Sequence, residues 1–184
     1  MKRGFTLIEL LIVIGILAIL AVTVVLVLNP AQILAQARDS QRISDLSSVK
    51  SAIALYLATA SSPVFIGAGP TCTATGCDTG GPFTGTYTKT SSTVVTGTGW
   101  VLIDLTLTSG GSALSALPLD PTNTGSYFYA YKADTANKIF ELDARLESVK
   151  YQPKMVSDGG DKSACPSTYV EATCYYEIGT SLSL

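Results

Sequence analysis

The sequence predicts an α+β fold: a long N-terminal helix whose second half packs on a small C-terminal antiparallel sheet. Three observations lead there. Residues 5–28 are an apolar run broken by one charge, residues 43–57 carry an apolar stripe at helical spacing, and two alternating strands follow residue 126. At 184 residues the chain suits one modest domain plus a helical stalk better than two domains. Hydrophobic residues make up 47% and charged residues 14%, a balance too apolar for a disordered chain.

The chain opens MKRGFTLIELLIVIGILAILAVTVVLVLNP. Lys2 and Arg3 precede the apolar run, whose only charge is Glu9; as a helix it extends roughly 36 Å, enough to cross a bilayer core. The positive flank directs residues 1–4 to the cytoplasm and the remainder outside. An ordinary secretory signal has a shorter apolar stretch and a small-x-small cleavage site, neither of which fits here. A plain signal anchor accounts for length and flank but leaves Glu9 unexplained. A carboxylate in hydrocarbon is costly unless it is paired or neutralised.

Gly4-Phe5-Thr6-Leu7-Ile8-Glu9 resembles the prepilin motif of type IV pilins and of the pseudopilins of type II secretion systems. The resemblance implies that a prepilin peptidase cuts between Gly4 and Phe5, releasing residues 1–4 as a leader. The same enzyme would methylate the new terminal Phe5, and Glu9 would become the fifth mature residue. Gly4 offers the peptidase a backbone without side-chain obstruction. The amine released on Phe5 would pair with Glu9 of a neighbouring copy as the helices stack, and in a low-dielectric core such a pair is favoured over two isolated charges. The implied partners are further copies of the chain in a helical homopolymer, the peptidase–methylase, membrane lipid before assembly, and the inner-membrane pilus or secretion machinery. The implied location is a single pass through the cytoplasmic membrane with the head outside, then an extracellular or envelope filament.

Beyond the membrane segment, Ile43, Leu46, Val49, Ile53 and Leu57 recur at steps of three and four, one face of an amphipathic helix. Arg38, Asp39, Arg42, Asp45 and Lys50 occupy other faces, with Arg42 and Asp45 spaced to pair at i,i+3. The helix is expected to end near Thr59, before Ser61-Ser62-Pro63. Asn29-Pro30 interrupts it, since proline removes one hydrogen bond and clashes with the preceding turn. Two readings stand: a simple kink at the membrane exit, or a place where the helix bends or melts as subunits pack, as helix breakers do in the resembled family. The chain thus divides into a leader (1–4), an assembly helix (5–29), a stalk helix (30–60) and a globular head (61–184).

In the head, residues 61–92 are rich in Gly, Ser, Thr and Pro and read as an irregular connection with a short strand near 84–88. Residues 100–105 have strand composition, and residues 112–117 suit a short helix before Leu117-Pro118-Leu119-Asp120-Pro121. Residues 127–131 and 138–146 form a hairpin around the turn at 133–137. In its second strand Phe140, Leu142, Ala144 and Leu146 are expected to face the stalk helix, with Ile139, Glu141, Asp143 and Arg145 opposite. The proline-bounded loop followed by Tyr127-Phe128-Tyr129-Ala130-Tyr131 is a second, weaker resemblance to pseudopilins and bacterial pilins.

Candidate chemistry is sparse. Histidine is absent, which removes the commonest general base and metal ligand, and no nucleophile or phosphate-loop motif emerges, so no enzyme is expected. A net charge of −2 offers no broad basic surface, so DNA binding is not indicated. The four cysteines fit disulfides better than zinc, because C-x4-C and C-x8-C are not tight zinc knuckles. Three pairings are open, and proximity favours Cys72–Cys77 with Cys165–Cys174. No cofactor is required; Asp158-Gly159-Gly160-Asp161 is a candidate calcium turn or a plain polar turn, and calcium loops in some pseudopilins lend the first reading support. The main reading is a structural subunit of a type IV pilus-like filament. The rivals are a pseudopilin in a secretion machine and a minor pilin binding DNA or a surface.

Overall fold

The computed structural model describes residues 4–67, 69–77, 80–162, 165 and 174–184, with the side chains of Leu26 and Val27 excepted. It divides into two compact units, Met1–Ala35 and Gln36–Leu184. In the first, helix α1 (Leu7–Leu28) exposes large apolar side chains on every side. Its stretch Leu7–Val25 is long and apolar enough to cross a membrane.

Helix α1 stops at Asn29, whose φ of 39° is left-handed, and helix α2 (Pro30–Thr59) starts immediately. The Asn29 carbonyl accepts from the Gln32 and Ile33 amides at 2.9 and 3.3 Å, and its side-chain oxygen from Gln32 at 3.4 Å. Pro30 therefore holds the first helical position, where its missing N–H is no loss. The proline opens a second helix rather than kinking a continuous one.

The second unit is built on a five-stranded sheet ordered β2-β1-β3-β4-β5, from β1 (Thr71–Cys72), β2 (Thr88–Lys89), β3 (Tyr129–Asp134), β4 (Ile139–Ala144) and β5 (Tyr176–Gly179). The sheet is mixed, not wholly antiparallel: β1 and β2 run parallel, because the connection between them returns to the same end, while the other pairs are antiparallel. The hairpin β3–β4 turns at 135–138, where Asp134 accepts from the Ala136 and Asn137 amides at 2.8 and 3.1 Å.

Alternation sends Tyr129, Tyr131 and Ala133 of β3 and Phe140, Leu142 and Ala144 of β4 into one core with Leu46, Val49, Ile53 and Tyr56 of α2. Each of the buried Leu, Val, Ile and Phe side chains contributes about 1.5–3 kcal/mol by leaving water, and the alanines less. Leu146 faces a smaller cluster with Met155 and Cys174. The opposite face of the sheet is covered too: Phe128 and Ala130 pack with the Cys72–Cys77 loop, Phe83, Tyr87 and Tyr175. Residues 100–105 are not a strand. Trp100, Val101, Ile103 and Leu105 are fully buried in an irregular segment that ends in a 3-10 turn (Leu105–Leu107), and the Trp100 indole N–H donates to the Pro118 carbonyl at 2.9 Å. Residues 112–117 are irregular rather than helical, and the strand expected at 84–88 shrinks to β2.

Arg42 is fully buried, and its partner is not Asp45. The guanidinium makes a two-pronged pair with Asp120 at 2.6 and 3.0 Å and donates to Asp39 at 2.9 Å and Glu147 at 2.7 Å. Arg38 grips the same Glu147 at 2.6 and 2.8 Å. Asp39 also accepts the Glu147 and Ser148 amides, at 3.0 and 2.7 Å. Asp45 instead accepts from the Tyr129 hydroxyl at 2.8 Å.

Burial pushes the Asp120 carboxyl up, but the Arg42 guanidinium outweighs it and holds Asp120 below the ordinary carboxylate range. Glu147 is likewise held down by Arg38 and Arg42 against its own burial. Both carboxyls give stability that is complete above their unfolded values, near pH 4, and is lost as pH falls through the lower folded values. Melting curves of the full chain in detergent should therefore show Tm dropping below about pH 4. Asp120→Asn should cost about 3 kcal/mol at pH 7 and flatten part of that drop. A wild-type Tm that stays level across this window would contradict the network's role.

Candidate functional site

The N-terminal segment folds around a reciprocal cap. Thr6 is the N-cap of α1, in extended backbone, and Glu9 is the third helical residue. The Thr6 hydroxyl accepts from the Glu9 amide at 3.3 Å. In return the Thr6 amide and hydroxyl donate to Glu9 Oε2 at 2.9 and 2.8 Å. This capping box satisfies amides that every helix start leaves open. Both bonds from Thr6 fall on Oε2, and Oε1 carries neither. Gly4 and Phe5 lie just ahead of the cap in non-helical, exposed chain, with Phe5 83% exposed.

Elsewhere the candidate residues sit on the head. Disulfides join Cys72 to Cys77 and Cys165 to Cys174. The first closes the loop after β1 and lies in the core on the outer face of the sheet; the second borders the cluster of Leu146 and Met155. Asp158 is engaged by backbone: its oxygens accept from the Gly160 amide at 3.1 Å and the Glu177 amide at 2.9 Å. Asp161 is largely exposed and meets the Lys162 ammonium at 2.9 Å. Asp120 and Asp134 do not join them, being committed to Arg42 and to the hairpin turn.

The densest group of acids was not legible in the sequence. Glu141 and Asp143 on β4 and Glu177 on β5 are buried on the outer face of the sheet, each offering an oxygen within 4.8 Å of the others. Register explains the grouping: Asp143 pairs directly with Glu177, and Glu141 lies two residues along the same face. Lys162 bridges two of the three, reaching Glu141 at 2.5 Å and Glu177 at 3.2 Å, and its amide donates to Glu177 at 2.9 Å. The Leu184 amide donates to Glu141 at 2.8 Å. Asp143 is different: both its oxygens are buried with no hydrogen-bond partner among the described residues.

Burial pushes the Asp143 carboxyl well above the usual range, and Glu141 adds to the push. Burial also carries Glu177 up to about 7, against the pull of the Lys162 amide and ammonium. Alternating charges at 141, 143 and 145 were the one signal available, and they read as an ordinary polar strand face. Glu177 lay in a segment with no strand expectation.

The model of the prokaryotic N-terminal methylation motif matches residues 1–25. These residues are a prepilin-type leader and helix. The motif is that of type IV pilins and pseudopilins, so it supports a processed, pilin-like subunit and points to a structural role. The capping box falls inside it, whereas the head lies beyond the matched residues. No curated protein and no solved structure matches the chain.

The motif sets a cleavage expectation. Intact-mass measurement of the protein from a host with prepilin peptidase should show loss of residues 1–4 and the gain of one methyl group on Phe5. A full-length mass from such cells, with an active peptidase verified on another substrate, would refute it.

Proposed function

We propose that the chain is the structural subunit of a type IV pilus-like filament, anchored by α1, freed of its leader, and polymerised through helix packing. Lys2 and Arg3 hold the leader on the cytoplasmic side, and the head folds outside, where the compartment lets its two disulfides form. Apolar side chains on every side of α1 suit it first to lipid and then to a bundle of identical helices.

The observation that carries this reading is Glu9, an acid at the start of a membrane-length helix inside the methylation motif. Its capping bonds use Oε2, which leaves Oε1 available to the cationic amine of a neighbour's Phe5. The carboxylate then has two jobs: it starts its own helix, and it registers the next subunit. Within a filament core the charge pair is far better than two separate charges. A pseudopilin would share every one of these features, and abundance in sheared surface fibres separates the two.

The two jobs of Glu9 can be split by one substitution. Glutamine serves in a capping box as glutamate does, yet carries no charge. Glu9→Gln should therefore insert and retain the helix start, seen as unchanged amide exchange at residues 7–10 in micelles, while filament yield by electron microscopy falls at least tenfold. Filaments at wild-type yield from Glu9→Gln would reduce Glu9 to a cap and remove the registration role.

A further inference from the structure

We propose that Glu141, Asp143 and Glu177 form a calcium site on the outer face of the sheet, distinct from the Asp158–Asp161 turn. Clustering alone does not make a site; the telling feature is Asp143. Its carboxyl group is completely buried, lies in the group of three acids, and neither oxygen has a hydrogen-bond partner among the described residues. A buried acid left without donors is costly, and native proteins almost always supply a partner.

The charge count names the kind of partner. With all three acids ionised, as a bound cation would hold them, the carboxylates and the Lys162 ammonium sum to −2, which one divalent cation neutralises. The donor set is all oxygen, suited to a hard cation rather than to zinc or copper. The three acids place oxygens within 4.8 Å of one another, so one ion can be reached by all three, and three protein carboxylates in a buried site suit calcium better than magnesium, which keeps several of its waters. Gly160 abuts the Glu177 carboxylate so closely that a Cβ there would fall 1.9 Å from Oε2. Lys162 is already bonded to the exposed Asp161, so its ammonium has a resting place on the solvent side as the cation enters.

The full chain in detergent, stripped with chelator and titrated with calcium chloride, provides the test. Tm should rise by about 5 °C at millimolar calcium and by less with magnesium. Calorimetry should give one site per chain. Asp143→Asn should abolish the calcium shift while its calcium-free Tm stays at or above wild type, because a neutral side chain of the same size replaces the unpartnered acid. Glu177→Gln, which keeps most hydrogen-bonding capacity, is the second variant and should weaken calcium binding at least tenfold. Asp161→Asn should keep the shift. No response of wild type to calcium overturns the proposal; so does an unchanged shift in both Asp143→Asn and Glu177→Gln, or a shift lost in Asp161→Asn and kept in Asp143→Asn, which would move the ion to the turn.

Discussion

A guanidinium with no exposed surface has to be surrounded by acceptors, and Arg42 meets that demand by drawing three separate stretches of chain to one point of α2. Asp39 comes from the helix itself, Asp120 from the proline-bounded loop, and Glu147 from the segment leaving β4. Two of the three are also tied to backbone amides, Asp120 to Thr122 and Asn123 and Asp39 to Glu147 and Ser148, while Glu147 is gripped by Arg38 as well. The loop, the helix and the strand exit cannot be repositioned singly without stranding a buried charge. Replacing one member of such a set is far more damaging than exchanging the whole set for apolar side chains. The apolar core supplies most of the driving force, and the Arg42 cluster selects which arrangement of that core is adopted.

The legible parts of the molecule were those written in local pattern. The apolar run, the helical stripe from Leu46 to Ile53 and the parity of the β3–β4 hairpin all depend on residues a few positions apart, and the structure has each of them. Asp120 and Glu147 lie 78 and 105 residues from Arg42, so nothing near Arg42 announced them, and the i,i+3 spacing to Asp45 was a plausible but wrong partner. Residues 100–105 fail for another reason. Their composition records burial, and burial was met by an irregular segment whose amides bond to neighbouring loop carbonyls, as Leu105 does to Val95. Strands β1 and β5 are too short to show a period of two. The acids Glu141, Asp143 and Glu177 share a face only because β5 returns beside β4, a long-range fact.

The two buried acidic groups of the head make an instructive contrast. Around Arg42 every carboxylate has a guanidinium partner, which holds Asp120 and Glu147 ionised. On the outer face three acids share one lysine, and Asp143, which has no hydrogen-bond partner among the described residues, is pushed toward its neutral form. The first arrangement gives every acid a guanidinium; the second has one lysine, bonded to two of its three acids. The methylation motif ends at residue 25 and describes neither. The features that distinguish this head from any other carried on such a stem lie in the sheet, the disulfide loops and these two clusters.

The junction at Asn29 has a mechanical meaning. A continuous helix transmits tension along parallel rows of hydrogen bonds, so that no single torsion has to yield. Pro30 has no N–H with which to continue those rows, and Asn29 stands in the left-handed region between two helices. Force passing along the chain from α1 to α2 is therefore focused on one residue and its caps to Gln32 and Ile33. In any fibre built from this chain, each copy would carry that junction at the same point of its own sequence, so the break would recur with every subunit added.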